Sequence, residues 1–371
     1  MIELENVTKT FADGTTAVDD VSFKVEQGEL CVLLGPSGCG KTTTMKMINR
    51  LVPMSKGRIL LDGKDVLNFK DTELRKQIGY AIQEIGLFPH MTVAENIEVV
   101  PELRGWAKAK RRDRAAQLLE MVKLKPDEFM DRYPKELSGG QRQRVGVARS
   151  LGADPEYLLM DEPFGAIDPI TRVDLQNEFL KIQQDIRKTI VFVTHDIYEA
   201  IKMGDKVALM NGGQLIQFDS PFNILFNPRD SFVSDFVGRD RALKGLQLIR
   251  AKEVMRQSVT TVTETEMVED VRSRVGTEHD RDEIPVVKED GAFAGFVNLQ
   301  EAESGPVKDH LIHARAKASL DTVLDEALSI MLSGERNLLA MLDNEQRVKG
   351  VLAFSDIQRA LSDADQSRGA L

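Results

Sequence analysis

The stretch that most constrains this chain is Gly35-Pro36-Ser37-Gly38-Cys39-Gly40-Lys41-Thr42, which reads GPSGCGKT and fits G-x-x-x-x-G-K-[ST]. Residues 30–34 (LCVLL) before it form a short apolar run that reads as a buried strand. Residues 43–51 after it, beginning at Thr43, lack Gly and Pro and carry Met45, Ile48 and Leu51 at helical spacing. Strand, Gly-rich loop and helix are the setting a phosphate-binding loop requires. The glycines let backbone N–H groups close around phosphate oxygens at a helix N-terminus that already favours negative charge. Lys41 would neutralise the outer phosphates, and the Thr42 hydroxyl would ligate Mg²⁺.

At 371 residues the chain should hold two or three domains, each able to bury a core. No apolar run approaches the roughly 18 residues of a membrane span, and Met1-Ile2-Glu3 begins no signal peptide. Any membrane role is therefore expected to come through a partner. Cys31 in the strand and Cys39 in the loop suit a reducing compartment and supply no disulfide framework. The net charge of −10 is uneven: residues 252–371 hold 14 Lys and Arg against 23 Asp and Glu, which leaves −1 for the rest. Nothing in that distribution resembles a general nucleic-acid-binding surface, so no nucleic-acid partner is expected.

Residues 2–7 and 18–25 alternate like strands, and residues 58–61 followed by Asp62-Gly63 read as a strand and turn. Phe11, some 25 residues ahead of the loop, suits either stacking on an adenine ring or a place in the core. Residues 78–82 (IGYAI) form a further strand ending at Gln83, whose amide matters if it faces the phosphates. Residues 107–124 read as a basic amphipathic helix, and the run KAKRR as its solvated face. Leu137-Ser138-Gly139-Gly140-Gln141 opens a helix to about Ala153, giving a second anion-binding helix terminus. Tyr157-Leu158-Leu159-Met160 is a buried strand that delivers Asp161-Glu162-Pro163, a pairing that fits a Mg²⁺-anchoring Asp followed by a base. Gly165-Ala166-Ile167-Asp168 precedes a long helix to about Ile186, and residues 189–193 (TIVFV) deliver Thr194-His195-Asp196. His195 is thus at a third strand end carrying polar chemistry.

These pieces, in this order, resemble the ATPase subunit of ABC transporters over about residues 1–235. The resemblance implies an α/β P-loop NTPase core with a helical subdomain, and two subunits meeting head to tail. The LSGGQ of one would then close over ATP held on the phosphate loop of the other. Gly35, Pro36, Ser37, Gly38, Cys39, Gly40, Lys41, Thr42 and Thr43 would hold ATP, with Phe11 beside the base. Ser138, Gly139, Gly140 and Gln141 would act across the dimer, Ser138 and Gly140 on the γ-phosphate. Asp161, with Thr42 and Gln83, would order Mg²⁺. Glu162 would polarise the attacking water, His195 would contact the γ-phosphate, and Asp168 would link the two sites. Phe11 stands where Tyr is common, and GAID replaces the more frequent SALD. Residues 78–97 (IGYAIQEIGLFPHMTVAENI) look like the bacterial glycine betaine, carnitine and choline importers. That likeness implies permease and solute-binding subunits on other chains, and a peripheral place on the cytoplasmic face of the bacterial cell membrane. An importer ATPase for another solute, such as an amino acid, is the first alternative. A soluble ABC protein of DNA repair or translation is the second, although such proteins usually carry two ATPase cores or a long coiled-coil insertion.

Beyond Gly238 the pattern changes. Residues 1–238 are expected to be the ATPase domain, 239–251 a linker, 252–304 and 308–361 one unit written twice, and 362–371 a tail. Lys252-Glu253-Val254-Met255 matches Lys308-Asp309-His310-Leu311, and Gly295-Phe296-Val297 matches Gly350-Val351-Leu352, 55 residues on. A helix, two alternating strands and a closing helix, repeated, resemble a tandem pair of cystathionine-β-synthase (CBS) domains, an α+β module. Such pairs usually sense adenosine ligands or ionic strength. The family's ribose-binding pattern places Thr or Ser three residues after the glycine and Asp six after. Here the positions hold Ala353 and Asp356 in one repeat, Asn298 and Glu301 in the other, so Asp356 is the regulatory candidate. Cyclic di-AMP, a direct response to salt, and a purely structural role all remain open.

Overall fold

Apolar runs too short to make helices build the middle of the N-terminal part. The computed structural model describes residues 1–82, 86–275, 283–312 and 315–366. The chain divides into two compact units, residues 1–224 with 228–236, and residues 225–227 with 237–371.

The first unit contains β1 (Ile2–Thr10), β2 (Thr16–Val25), β3 (Leu30–Leu34), β4 (Lys56–Leu61) and β5 (Lys64–Asp65). It continues with β6 (Ile78–Ala81), β7 (Tyr157–Asp161), β8 (Thr189–Val193), β9 (Lys206–Asn211) and β10 (Gln214–Asp219). A six-stranded sheet runs β10-β9-β3-β8-β7-β6. Its members from β9 to β6 pair in parallel, and β10 closes one edge antiparallel. Every residue of β3, β7 and β8 is buried, as expected of strands covered on both faces. β1 instead alternates, and lies in an antiparallel sheet ordered β2-β1-β4-β5. Ile2, Leu4, Val7, Val18 and Ile59 from this sheet pack with Leu33, Val191 and Val193 from the other.

The helices of this unit are α1 (Lys41–Ile48), α2 (Asp71–Gln77), α3 (Val93–Leu103), α4 (Lys108–Met121), α5 (Pro126–Phe129), α6 (Gly139–Leu151), α7 (Pro169–Ile186) and α8 (Ile197–Met203). α4 is the expected basic helix; Ala115, Leu118 and Leu119 are buried, and Lys108, Lys110 and Arg112 are not. α3 begins with a capping box, in which Thr92 Oγ1 accepts from Glu95 N and Glu95 Oε2 accepts from Thr92 N. Short helices α9 (Pro221–Phe226), α10 (Ser231–Val237), α11 (Arg241–Gly245) and α12 (Ala251–Val254) follow. No helix among the described residues is long and apolar enough to cross a membrane.

The second unit holds two three-stranded sheets. One is β11 (Val262–Thr263), β12 (Glu283–Val287) and β13 (Phe293–Asn298), with α13 (Val268–Val275). The other is β14 (Lys317–Ser319), β15 (Leu338–Leu342) and β16 (Val348–Ala353), with α14 (Leu324–Ser333) and α15 (Phe354–Gln366). Each sheet has one parallel and one antiparallel pairing in the same order. The repeat is imperfect. α15 closes the second copy, whereas among the described residues the first copy leaves β13 through turns and meets a 3-10 turn at Val307–His310.

The lead-in segments are also exchanged. Ala251, just before the first copy, lies in a core with Leu324, Ala327 and Leu352 of the second. Its N–H donates to Thr322 O, and Arg256 and Val351 exchange backbone hydrogen bonds. Reciprocally, Val307, before the second copy, packs with Val262, Val268 and Ile284 of the first, and its N–H donates to Glu266 O.

One close approach fixes the edge of the six-stranded sheet. A Cβ at Gly79 in β6 would stand 2.2 Å from Ser150 O of α6 and 2.7 Å from Leu158 Cδ2 of β7. Gly79→Ala should therefore force backbone apart and destabilise the first unit by about 1–3 kcal/mol. A urea or thermal melt that matches the unsubstituted protein would refute this packing constraint.

Candidate active site

The loop after β3 is shaped by backbone conformations that glycine favours. Gly35 has φ of 144° and Gly40 of 103°, and added Cβ atoms would stand 2.2 Å from Met210 O and 2.4 Å from Ala17 O. Gly38 also has positive φ, of 79°, with nothing within 4 Å of an added Cβ. Gly40 is the residue before α1, so the N-terminal amides of that helix open into the loop. The Lys41 side chain turns back along the loop, and its ammonium donates to Gly35 O at 2.7 Å and Pro36 O at 2.9 Å. Cys39 is buried, with its Sγ 3.8 Å from that ammonium.

Thr42 faces the neighbouring machinery. Its hydroxyl donates to Asp161 Oδ1 at 3.0 Å, across 119 residues of sequence. Asp161 is only 2 % exposed, and burial pushes its carboxyl upward against the opposing pull of the Thr42 hydrogen bond. The pair offers hydroxyl and carboxylate oxygen, the donor chemistry of a hard divalent cation.

Glu162 adopts a left-handed conformation, with φ of 45°. Its N–H donates to Val193 O at 3.0 Å, and its carbonyl accepts from Gly165 N at 3.1 Å and from Gln143 Nε2 at 3.2 Å. The turn brings Glu162 Oε1 to 3.1 Å from His195 Nδ1. His195 is largely solvent-exposed, whereas Glu162 is partly sheltered. β7 and β8 therefore bring the two side chains together.

Ser138 caps α6. Its Oγ accepts from Gln141 N at 3.2 Å, and Gln141 Oε1 accepts from Ser138 N at 2.9 Å. Nothing lies within 4 Å of an added Cβ at Gly139, and only Ala166 O and Ile167 Cα do so at Gly140. The start of α6 is thus open on the glycine side, while Gln143, one turn on, ties α6 to the Glu162 carbonyl. Asp168 caps α7, accepting from Thr171 N at 3.0 Å, and this bond holds its carboxyl below the usual range. Phe11 is 41 % exposed, with Lys9 Nζ 5.0 Å from its ring centroid, so it is no core residue. Gln83 lies outside the described residues.

In the second unit, Asp356 is already engaged. It is 4 % exposed, pairs with Arg256 Nε at 3.1 Å and accepts from Ala353 N at 2.9 Å. Arg256 also donates to Ser355 Oγ at 3.1 Å. Beside this pair lies a cavity of about 360 Å³ lined in part by Ser258, Asn298, Arg336 and Asn337.

The sequence patterns did not point to Gln143, nor to Gln176 and Glu199, which form a buried polar chain with Thr194 behind His195. An acidic residue on the short helix directly after the histidine strand was the one available signal for the latter group.

The ABC transporter family profile matches residues 18–165, and the CBS domain profile matches residues 251–302. The chain is 44 % identical to the osmoprotectant import ATP-binding protein OsmV of Salmonella typhimurium, over all of this chain and 98 % of that one. It is 41 % identical to the choline transport ATP-binding protein OpuBA of Bacillus subtilis, over 96 % of this chain and 95 % of that protein. The carnitine transport ATP-binding protein OpuCA of Listeria monocytogenes is 40 % identical, over 99 % and 96 %. Among solved structures, the dimeric ABC transporter cassette MJ0796 superposes with a TM-score of 0.56 at 33 % identity, covering 60 % of this chain and 99 % of that one. A sheet that brings loop, carboxylates and histidine to one edge, and likeness along the whole length, agree: this chain belongs to the ATP-binding subunits of the ABC transporters, with a CBS module at its C-terminal end.

Proposed function

We propose that the chain is the ATP-hydrolysing subunit of an importer for quaternary-amine osmoprotectants such as glycine betaine, carnitine or choline. The observation that carries this reading is likeness over the full length, tail included, to proteins named for osmoprotectant, choline and carnitine transport. Permease subunits and a solute-binding protein on other chains would complete the importer, holding this subunit on the cytoplasmic face of the bacterial membrane. Uptake of radiolabelled choline, glycine betaine, carnitine and an amino acid, compared in a strain lacking the gene, tests the substrate class. Loss of amino-acid uptake alone would overturn it.

Residues 1–238 would be the motor, working as a homodimer. ATP phosphates would lie over residues 38–43, in reach of the loop amides and Lys41, with Phe11 at the base. Thr42 and Asp161, with Gln83 as the further ligand that the motif order implies, would hold Mg²⁺, which would supply charge balance for the phosphates. The 3.0 Å contact between Thr42 and Asp161 supports that pairing. Glu162 would orient and deprotonate the attacking water, and its 3.1 Å contact with His195 keeps the carboxylate directed at the same edge of the sheet. Ser138 and Gly140 of a second copy would supply the remaining γ-phosphate donors from a helix N-terminus that is open on its glycine side. Asp168, at the head of α7, would carry the state of one site to the other.

Residues 252–304 and 308–361 would regulate the motor. The Arg256–Asp356 pair already uses the one matching ribose-binding position. The input would be salt or a phosphate-rich ligand such as cyclic di-AMP, which would meet Arg256 and Arg336 in the cavity beside the pair, with a purely structural role as the alternative.

Glu162→Gln should lower ATP turnover by ~10²–10⁴-fold, the usual effect of losing a general base, while ATP binding persists. Rapid-mix hydrolysis and nucleotide titration on the same preparation separate the two effects; near-normal turnover would remove Glu162 from the mechanism. A Lys41→Ala chain mixed with a Ser138→Arg chain should regain activity that neither has alone, because one composite site is then intact. No recovery in a mixture with proven dimers would count against head-to-tail sites. Arg256→Ala should change how uptake in reconstituted vesicles responds to a salt series with and without cyclic di-AMP. Curves identical to those of the unsubstituted protein would leave the second unit as scaffold.

A further inference from the structure

Thr194, Gln176 and Glu199 are buried polar residues for which the proposed chemistry has no use. All three are less than one-tenth exposed. The Thr194 hydroxyl donates to Glu199 Oε2 at 2.6 Å and accepts from Asp196 N at 3.1 Å. The second contact spans His195, closing a tight turn around it. Glu199 Oε1 accepts from Gln176 Nε2 at 3.0 Å, and Gln176 Oε1 accepts from Lys202 Nζ at 3.2 Å. Burial pushes the Glu199 carboxyl upward and the Lys202 ammonium downward, so each ionised form leans on its hydrogen bonds. Gln176 belongs to α7, the helix that Asp168 caps. One carboxylate therefore bridges the turn that carries His195 and the helix that starts at Asp168.

Apolar side chains would fill this space at lower desolvation cost, so a fully satisfied polar chain here specifies one arrangement of its members. Glu199 accepts from both sides at once, which fixes the direction of the Thr194 hydroxyl, and that hydroxyl in turn fixes the backbone on both sides of His195. Without Glu199, the Thr194 hydroxyl loses its acceptor and Gln176 is left with the Lys202 ammonium alone as its bond to α8.

We infer that Glu199 is a positioning residue for ATP hydrolysis: it locks the Thr194–His195–Asp196 turn against α7, holding the His195 ring beside Glu162. The inference rests on the proposed role of His195 at the γ-phosphate, and it links that role mechanically to the Asp168 end of α7.

The test is a double-mutant cycle in the full-length protein, with kcat and KM for ATP measured alongside the thermal midpoint. His195→Ala and Glu199→Ala should each lower kcat, Glu199→Ala by roughly ten- to a hundredfold as expected for a misplaced group. KM for ATP should change little in Glu199→Ala, because the phosphate loop is untouched. Combining the two should be no worse than His195→Ala alone, since both act through one ring. Glu199→Gln keeps an acceptor for Thr194 and should retain most of the turnover. Thr194→Val removes the hydroxyl at similar shape and carries the same expectation if Glu199→Ala does not fold. Full additivity in the double variant, or unchanged kcat in Glu199→Ala, overturns the inference while leaving His195 in place. Normal turnover in His195→Ala overturns the reading of His195, and this inference with it.

Discussion

Level ends on three neighbouring parallel strands hold the active site together. Val193, the last residue of β8, pairs with Leu33 on one side and Asp161 on the other. Adjacent strands lie about 4.8 Å apart, so the chain leaves β3, β8 and β7 within about 10 Å along one edge. The phosphate loop, Thr194-His195 and Glu162 are the first residues past those ends, and Asp161 is the last residue of β7. The contacts of Thr42 with Asp161 and of Glu162 with His195 follow from this. A one-residue slip of β7 would turn Asp161 to the opposite face and dissolve the arrangement.

The chain holds strained and buried polar groups at this edge, and the surrounding contacts explain why they persist. A left-handed non-glycine residue such as Glu162 costs of order 1–3 kcal/mol. Its amide and carbonyl are both engaged, by Val193, Gly165 and Gln143, so relaxation would break several bonds at once. Gln143 makes α6 part of that restraint. The helix that opens with Ser138–Gln141 is thereby tied to the turn that aims the Glu162 carboxylate. The chain Lys202–Gln176–Glu199–Thr194 does the same from behind His195.

The second unit uses a different logic. Its two copies trade lead-in segments, so that neither core closes without residues from just before the other. Such an exchange makes the two sheets interdependent. The same exchange places Arg256, which precedes the first sheet, on Asp356 at the start of α15.

Much of the ATPase unit was legible because its signals are local. GPSGCGKT demands a strand before it and a helix after it, since only that context turns loop amides toward one anion. LSGGQ and YLLMDEP likewise encode a helix cap and a buried strand within a few residues, and β3, α6, β7 and β8 sit where their patterns put them. Other features needed contacts across long stretches of chain. Phe11 had two readings by sequence, and its exposure was decided by how β1 and β2 meet. The repeat beyond residue 252 was visible from matching segments. The lack of a closing helix among the described residues of the first copy and the exchange of α12 were not, because identical local patterns pack against whichever surface is nearer. Sequence alone therefore determined the chemical groups that the loop and strand ends offer at the site, because each motif carries its own backbone geometry. Only the tertiary structure decided that Glu199, Gln176 and Gln143 stand behind that chemistry, because a buried hydrogen bond depends on which strand ends and helices come to lie side by side.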